Sequence, residues 1–169
     1  MNKRTGSNHG GKQKYQPISK EDVPKFQEEW ITKGISYDCV NFTNVFGRYL
    51  CDLNEKYNKR WKKMEIVPDG DSLTRTQIRN YFNEVRRIQQ LEKEKREIPF
   101  LLLKPKLAYA VAKAPRGSRI KDFKEIMDKV HDIVMDGKTT KKFNQTYFEN
   151  FIDFFEAILA YHKSFGGKD

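Results

Sequence analysis

The sequence predicts an all-α protein: a compact bundle of five to six helices with a flexible basic N-terminal tail. Apolar residues recur at helical spacing in several segments, which Gly or Pro residues separate. No segment shows the sustained alternation of apolar and polar residues that is typical of a half-buried strand. The apolar content of 37% is low and the charged content of 33% is high against averages of roughly 45–50% and 25%. The bundle should therefore be thin, with a large surface.

The 169 residues are enough for one domain with its own core. Residues 1–17 are rich in Gly, Lys and Asn and almost free of apolar side chains, which predicts a flexible basic tail. Residues 18–169 are expected to form a single helical-bundle domain.

The first two predicted helices precede a turn signal at residues 68–71. A short helix is expected over residues 20–33, ended by Gly34, since Gly commonly follows the last residue of a helix. Its apolar residues at helical spacing are Val23, Phe26, Trp30 and Ile31. A second helix is expected over residues 42–63, where the apolar line consists of Val45, Tyr49, Leu53, Tyr57 and Trp61.

The third predicted helix has the clearest start. Thr74 and Gln77 have the spacing of a capping box, in which each side chain accepts a hydrogen bond from the other residue's backbone N–H. Leu73 and Ile78 occupy the positions of a hydrophobic staple. The helix should run to about Glu94, and its expected buried face consists of Ile78, Tyr81, Phe82, Val85 and Ile88.

Three further helices complete the predicted bundle. An Ala-rich helix over residues 100–113 has Pro105 in its first turn or at a kink. The next begins near Ile120 and ends at Gly137, and the last covers residues 141–164. In the Ala-rich helix, the residues expected in the core are Leu101, Leu102, Leu103, Leu107, Tyr109 and Val111.

No motif in the sequence indicates a catalytic or metal site. Cys39 and Cys51 are twelve positions apart without a Cys-x-x-Cys pair, so both are expected to be small buried side chains in a reducing cytoplasm. His131 and His162 lie in different predicted helices without a neighbouring ligand, and they are expected to be structural or solvated. Phosphate-binding Gly-rich loops, nucleophile elbows and zinc-protease motifs are absent.

These observations predict a cytoplasmic protein that is not an enzyme and that uses no metal and no cofactor. A catalytic site assembled from dispersed residues would leave no such motif, so it stays open at this point. The longest apolar run, Leu107 to Ala112, has six residues, far fewer than a membrane span requires.

The net charge of +10 is concentrated in two segments. Residues 1–20 carry +5 and residues 98–121 carry +6, so the rest of the chain has a net charge of −1. A confined excess of cations indicates a surface that binds a polyanion. On the helix that follows Thr74, a rotation of about 100° per residue brings four cations to one edge beside the apolar stripe: Arg75, Arg79, Arg86 and Lys93.

The second basic segment favours a phosphate ligand more strongly than the helical edge does, because the edge alone is equally compatible with a solvated face. Its cations lie around Pro105 and a Pro-Gly turn, and they include Lys104, Lys106, Lys113, Arg116 and Arg119. Without a counter-ion they would repel one another, and a phosphate backbone would supply that counter-ion. Since no reading helix or RNP aromatic motif is present, we expect recognition of backbone and shape.

Three stretches carry a resemblance to a known family: LTRTQIRNYFNEVRRIQ (73–89), LLLKPKLAYAVAK (101–113) and FENFIDFFEAILAYHKSFGG (148–167). Together they resemble the small helical subunit of the Csm complex, the type III-A CRISPR RNA-guided interference assembly. The resemblance covers about residues 73–167. Its most specific parts are the Lys-Pro-Lys-Leu-Ala-Tyr-Ala run and the Glu-Ala-Ile-Leu-Ala-Tyr-His run.

The resemblance implies a non-catalytic all-α subunit, present in several copies that lie side by side along the duplex of guide RNA and target RNA. The implied protein partners are the backbone subunits, which hold the guide RNA, and the large subunit of the complex. The resemblance implies that a basic face contacts the backbone of the target RNA, and the matching motifs assign these contacts to Arg75, Arg79, Lys104, Lys106 and Lys113. Position and charge add Arg86, Arg116 and Arg119. The alternative hypothesis is a protein–protein adaptor whose basic patch docks on an acidic partner subunit without touching RNA.

Overall fold

The computed structural model describes residues 16–136 and 142–166. The predicted tail, residues 1–17, lies outside the described residues apart from its last two positions, and Gly137 lies outside them as well. The described elements are α1 Glu29–Thr32, α2 Tyr37–Leu50, β1 Leu53–Asn58, β2 Lys63–Pro68, α3 Arg75–Gln89, α4 Glu97–Leu101, α5 Leu103–Lys113, α6 Ile120–Val134 and α7 Gln145–Ser164. The all-α class is confirmed, since the helices form the core and the strands form one small hairpin.

The longest described helix, α7, is the common packing partner of α1, α2, α3 and α6. Seven of its side chains are buried: Phe148, Phe151, Ile152, Phe154, Phe155, Ile158 and His162. The rings of Phe151 and Phe155 stack 5.9 Å apart, and Phe155 also meets Phe82 of α3 edge-on. Most aromatic residues therefore pack in or against the core, as their helical spacing predicts. Helix α5 does not pack on α7 to the same extent, and its partners are α3 and α6.

The helix predicted over residues 42–63 is wrong beyond Leu50. In the structure α2 begins at Tyr37 and ends at Leu50, after which β1 and β2 pair antiparallel in a hairpin. The apolar residues Leu53 and Tyr57 are four positions apart, and that spacing puts two side chains on one face of a helix or of a strand. The pattern therefore could not distinguish the two, and between α2 and β1 the backbone takes a left-handed conformation at Asp52, where φ is +45°.

The helix predicted over residues 20–33 is only partly present. A 3₁₀ turn spans Lys20–Asp22 and α1 is limited to Glu29–Thr32, with chain that is not helical between them. Val23 has ψ of 123° because a residue that precedes proline is disfavoured in the helical region. Trp30 and Ile31 are nevertheless buried in the core as expected.

The start of α3 is confirmed in detail. The Thr74 backbone N–H donates to Oε1 of Gln77 at 2.9 Å, and the Gln77 N–H donates to Oγ1 of Thr74 at 3.1 Å. Leu73 and Ile78 are both buried. The helix ends at Gln89, earlier than predicted, and a 3₁₀ turn over Lys93–Lys95 follows.

The segment expected to be one helix over residues 100–113 is split into α4 and α5. Pro105 lies in the first turn of α5, which is one of the two positions predicted for it, the other being a kink within the helix. Leu103 and Leu107 are buried, but Leu101, Leu102 and Tyr109 are 42%, 51% and 62% exposed, so their assignment to the core is wrong. The reason is that α5 packs on the bundle along one side only, against α3 and α6.

Both cysteines are buried free thiols, as their isolated positions predict. Burial raises the pKa of the Cys39 thiol to about 11 and that of the Cys51 thiol to about 12. The described helices include none that is both long enough and apolar enough to cross a membrane.

Candidate nucleic-acid interface

The eight cations predicted to bind RNA do not form one continuous surface. Helix α3 packs against both α5 and α7. Arg86 of α3 pairs with Glu156 of α7 at 3.2 Å, whereas Glu84 of α3 pairs with Lys106 of α5 at 2.5 Å. The predicted residues are therefore distributed over the α7 side of α3, the outer edge of α5 with the loop that follows it, the α6 side of α5, and the polar contact between the end of α2 and the start of α6.

The three arginines of α3 that are predicted to bind RNA lie on the side of α7. Arg79 is exposed and forms no ion pair within the described part of the chain. Arg86 is also exposed, and its guanidinium lies 5.9 Å from the centre of the Phe82 ring in addition to its pair with Glu156. Arg75, in the first turn of α3, is half-buried and already interacts with other residues of the protein. Arg79 is thus the most available cation of this group.

The outer edge of α5 carries Lys106, Tyr109 and Lys113, which we call the α5 edge. These positions fall within about 60° of one another on a helix that rotates by about 100° per residue. All three side chains are exposed, and Nζ of Lys113 lies 4.3 Å from the centre of the Tyr109 ring. Arg116 follows in the exposed loop after α5. Neither Lys113 nor Arg116 forms an ion pair with any of the residues in 16–136 and 142–166.

Lys104 lies on the opposite edge of α5, beside α6. Its Nζ donates to Asp132 at 2.6 Å, and the lysine side chain is 39% exposed. The ammonium group therefore already has a carboxylate partner, and it does not share the orientation of Lys106, although only Pro105 separates the two in the sequence.

Arg119 is held within the protein by a network of polar side chains. It donates to the Tyr49 hydroxyl at 2.6 Å and to Asp52 at 2.9 Å, with its guanidinium 4.2 Å from the centre of the Tyr49 ring. The Tyr49 hydroxyl in turn donates to Asp122 at 2.8 Å. Burial, together with the hydrogen bond to Asp122, raises the pKa of Tyr49 to about 12. This network joins the end of α2 to the start of α6.

The acidic partners change the electrostatic argument made from the sequence. Residues 98–121 contain no acid, but Glu84 and Asp132 reach Lys106 and Lys104 from α3 and α6. The hydrogen bond from Lys106 holds the pKa of Glu84 below its usual value. Such exposed pairs contribute only about 0–1 kcal/mol, so a phosphate group can replace Glu84 as the partner of Lys106 at little cost.

A third group of cations was missed by the sequence reasoning. The eight residues from Lys56 to Lys63 carry five cations and no acid, and they form the end of the β-hairpin: Lys56, Lys59, Arg60, Lys62 and Lys63. The signal was present as a short run of like charge. It was lost because acids elsewhere cancelled these cations when charge was summed over most of the chain.

The two described histidines are structural. Nε2 of His131 lies 3.2 Å from the Phe100 carbonyl oxygen, and Nε2 of His162 lies 2.8 Å from that of Leu73. Burial lowers the pKa of both imidazoles. Within the described residues, no group of three or more His, Cys, Asp or Glu side chains could hold a metal ion.

A helical bundle with exposed cations on α3 and α5 agrees with the three motifs that resemble the small Csm subunit. The family model described as Csm2 Type III-A matches residues 55–168. This chain belongs to the Csm2 family. It is accordingly a small subunit of a type III-A CRISPR complex, and the matched range begins within β1, so it includes most of the hairpin. No curated protein and no solved structure matches the chain.

Proposed function

We propose that this Csm2-family chain is a non-catalytic RNA-binding subunit, several copies of which line the duplex of guide RNA and target RNA. Its α5 edge and Arg116 contact the phosphate backbone, with Arg79 and Arg86 of α3 as further contacts. The observation that carries the proposal is the presence of Lys113 and Arg116 as exposed cations with no acidic partner among the described residues. Phosphate contacts of this kind give affinity without sequence preference.

Lys104 and Arg119 have a smaller part in this proposal than the sequence assigned to them. Lys104 lies on the α6 side of α5 with Asp132, away from the α5 edge, and the Arg119 side chain, which pairs with Asp52, is only 23% exposed. We assign Arg119 to the polar network between α2 and α6, and Lys104 to the contact between α5 and α6.

The test is the RNA affinity of a double variant, Lys113→Gln with Arg116→Gln, measured over a range of salt concentrations on RNAs of unrelated sequence. We expect weaker binding of every RNA and a salt dependence that is flatter by about one unit of slope for each lost phosphate contact. The matched control is Lys25→Gln with Lys33→Gln, which removes the same charge at exposed positions beside α1. Equal affinities and slopes for the two double variants would contradict the proposal.

A second candidate function is protein–protein contact through the same part of the molecule. Four large apolar side chains are exposed on α4, on α5 and at Leu102 between these helices. They are Ile98, Leu101, Leu102 and Tyr109. Apolar and aromatic residues are typical of the buried part of protein interfaces. This patch fits side-by-side self-association or the docking of a neighbouring subunit.

The variant Ile98→Ser with Leu102→Ser separates the two candidates. Loss of self-association, measured by sedimentation, with unchanged RNA affinity would assign the patch to protein contact and leave the α5 edge to RNA. An adaptor without RNA contact would be indicated if the protein, purified with and without nuclease, had the same absorbance ratio at 260 and 280 nm and bound no added RNA.

A further inference from the structure

The hairpin of β1 and β2 is anchored to the bundle at its base and exposed at its far end. Leu53, at the base, is buried, and the Leu73 backbone N–H donates to the Leu50 carbonyl at 2.8 Å. In contrast, Tyr57 is 58% exposed and Trp61, between the strands, is 62% exposed. An exposed tryptophan at the end of a hairpin contributes nothing to the described core.

The end of the hairpin is also the most basic short stretch of the described chain. Lys56 and Lys63 have acidic partners, Asp69 at 2.9 Å and Glu65 at 3.4 Å. We call the four residues between Asn58 and Lys63 the hairpin tip: Lys59, Arg60, Trp61 and Lys62. The three cations of the hairpin tip are exposed and form no ion pair with a described residue.

The backbone of the hairpin tip is held by Asn58. Its Oδ1 accepts hydrogen bonds from the backbone N–H groups of Arg60 at 2.9 Å and Trp61 at 3.2 Å, and its Nδ2 donates to Glu65 at 2.5 Å. The Arg60 guanidinium lies 5.0 Å from the centre of the Trp61 ring. The aromatic ring and the neighbouring cation therefore start from an ordered arrangement, which lowers the entropic cost of binding.

We propose that the hairpin tip binds an unpaired RNA nucleotide, with its base stacked on Trp61 and its phosphates neutralised by Lys59, Arg60 and Lys62. The inference rests on the proposed function insofar as it takes RNA as the ligand. It goes beyond that function because the α5 edge contacts backbone alone, whereas the hairpin tip distinguishes an unpaired base from a paired one. Exposed aromatic rings among cations are the usual means of binding single strands without sequence preference.

The charge of the hairpin tip favours RNA over a protein partner. Protein interfaces are depleted of lysine and of charged residues in general at their centres, whereas three of the four residues of the hairpin tip are cationic. A protein partner would have to supply several acids around one apolar ring. An RNA strand supplies a negative charge at every nucleotide and a flat apolar face on every base.

Tryptophan fluorescence tests this inference directly. The chain has two tryptophans, and Trp30 is only 2% exposed, so a quenching ligand that leaves the fold intact acts on Trp61. The full chain is titrated with oligouridine, with an oligomer of the same length that lacks its bases, and with an RNA duplex. We expect strong quenching by oligouridine alone, and equal quenching by the abasic oligomer would overturn the inference.

Variants give a second, independent measurement. Trp61→Ala should weaken binding of oligouridine about five-fold or more, since stacking contributes about 1–3 kcal/mol per base, and should leave duplex binding unchanged. Trp61→Phe should retain most of the affinity because it keeps a ring. The matched control, Tyr37→Ala, removes an aromatic side chain that is 87% exposed on α2 and should change nothing.

The outcomes separate this inference from the proposed function. If Trp61→Ala binds oligouridine as the unaltered chain does, the hairpin inference is wrong, while the Lys113 and Arg116 variants still test the α5 edge. If the Trp61 variants lose self-association with unchanged RNA affinity, the hairpin tip is a protein contact and the RNA inference is overturned. The far-ultraviolet circular dichroism of each variant confirms that the fold is intact.

Discussion

Gly47 of α2 lies so close to Tyr161 of α7 that a Cβ atom at position 47 would stand 2.9 Å from the Tyr161 Cβ. The same atom would be 3.0 Å from the backbone nitrogen of His162 and 3.2 Å from the carbonyl oxygen of Ile158. Backbone atoms cannot give way unless the helix moves. The close approach of α2 to α7 therefore depends on the absence of a side chain at this position.

Gly47→Ala should destabilise the protein. Overpacking costs about 1–3 kcal/mol, and the higher helix propensity of Ala recovers about 1 kcal/mol at most. We expect a net loss of up to about 2 kcal/mol, which lowers Tm by up to about 8 °C in a chain of this size. Gly70→Ala is the matched control in a thermal melt, because a Cβ there meets nothing within 4 Å. A Gly47→Ala variant that melts at or above the temperature of the control would contradict this account.

Arg119→Ala should destabilise the protein much more than Arg116→Ala. Loss of Arg119 leaves Asp52, whose side chain is 15% exposed, and the Tyr49 hydroxyl without their donor. Unsatisfied groups of this kind cost about 1–3 kcal/mol, whereas an exposed substitution usually changes stability by less than about 0.5 kcal/mol. Urea unfolding of the two variants measures the difference, and equal midpoints would show that the network adds no stability.

Lys106 and Lys104 should differ in their effect on RNA binding. Lys106→Gln should weaken RNA binding and flatten its salt dependence by about one unit of slope, while Lys104→Gln should do neither, because Lys104 lies on the side of α6 with Asp132. Glu84→Gln should strengthen binding, since Glu84 competes with phosphate for Lys106. A Lys104→Gln variant that binds RNA as weakly as Lys106→Gln would refute this assignment.

Stability should fall as the pH is lowered below about 6.5. The carbonyl oxygens that His131 and His162 contact only accept hydrogen bonds, so each ring carries a proton on Nε2 and is buried in its neutral form. Burial lowers the pKa of both groups in the folded state, and the unfolded chain therefore takes up the second proton more readily. The contribution of the neutral histidines to the free energy of unfolding is fully present above about pH 6.5, the pKa of histidine in the unfolded chain. Below that pH, the free energy of unfolding falls by up to about 1.4 kcal/mol per pH unit for each histidine.

The pH effect is measured by urea unfolding at pH 7.5 and pH 5.5. His162→Gln keeps a side-chain N–H donor for the Leu73 carbonyl but does not titrate in this range, so the difference between the two pH values should shrink in this variant. If the variant and the unaltered chain lose the same stability between the two pH values, His162 does not contribute.

Local features of this fold could be predicted from the sequence, because they depend on neighbouring residues. The capping box of Thr74 and Gln77 is an example, since both partners lie within one turn. The hairpin could not be predicted from the spacing of Leu53 and Tyr57, which suits a helix and a strand equally. Its loop, residues 59–62, also lacks the Gly or Pro residues that usually indicate a tight turn.

The candidate site was only partly predictable, because its electrostatics depend on pairs that are distant in the sequence. The partners of Lys106 and Arg119 are Glu84 and Asp52, which lie 22 and 67 positions away. Counted along the chain, the cations of residues 98–121 have no acidic partner in that segment. The fold brings acids to some of them and leaves Lys113 and Arg116 exposed.

The packing of α7 against α1, α2, α3 and α6 has a consequence for synthesis of the protein. These four helices all precede α7 in the chain, so they are synthesised before their shared partner is complete. Until residues 145–164 emerge, the apolar faces of the earlier helices have no common surface to cover them. The nascent chain should therefore depend on chaperones until late in translation, and it should acquire resistance to protease only when α7 becomes available.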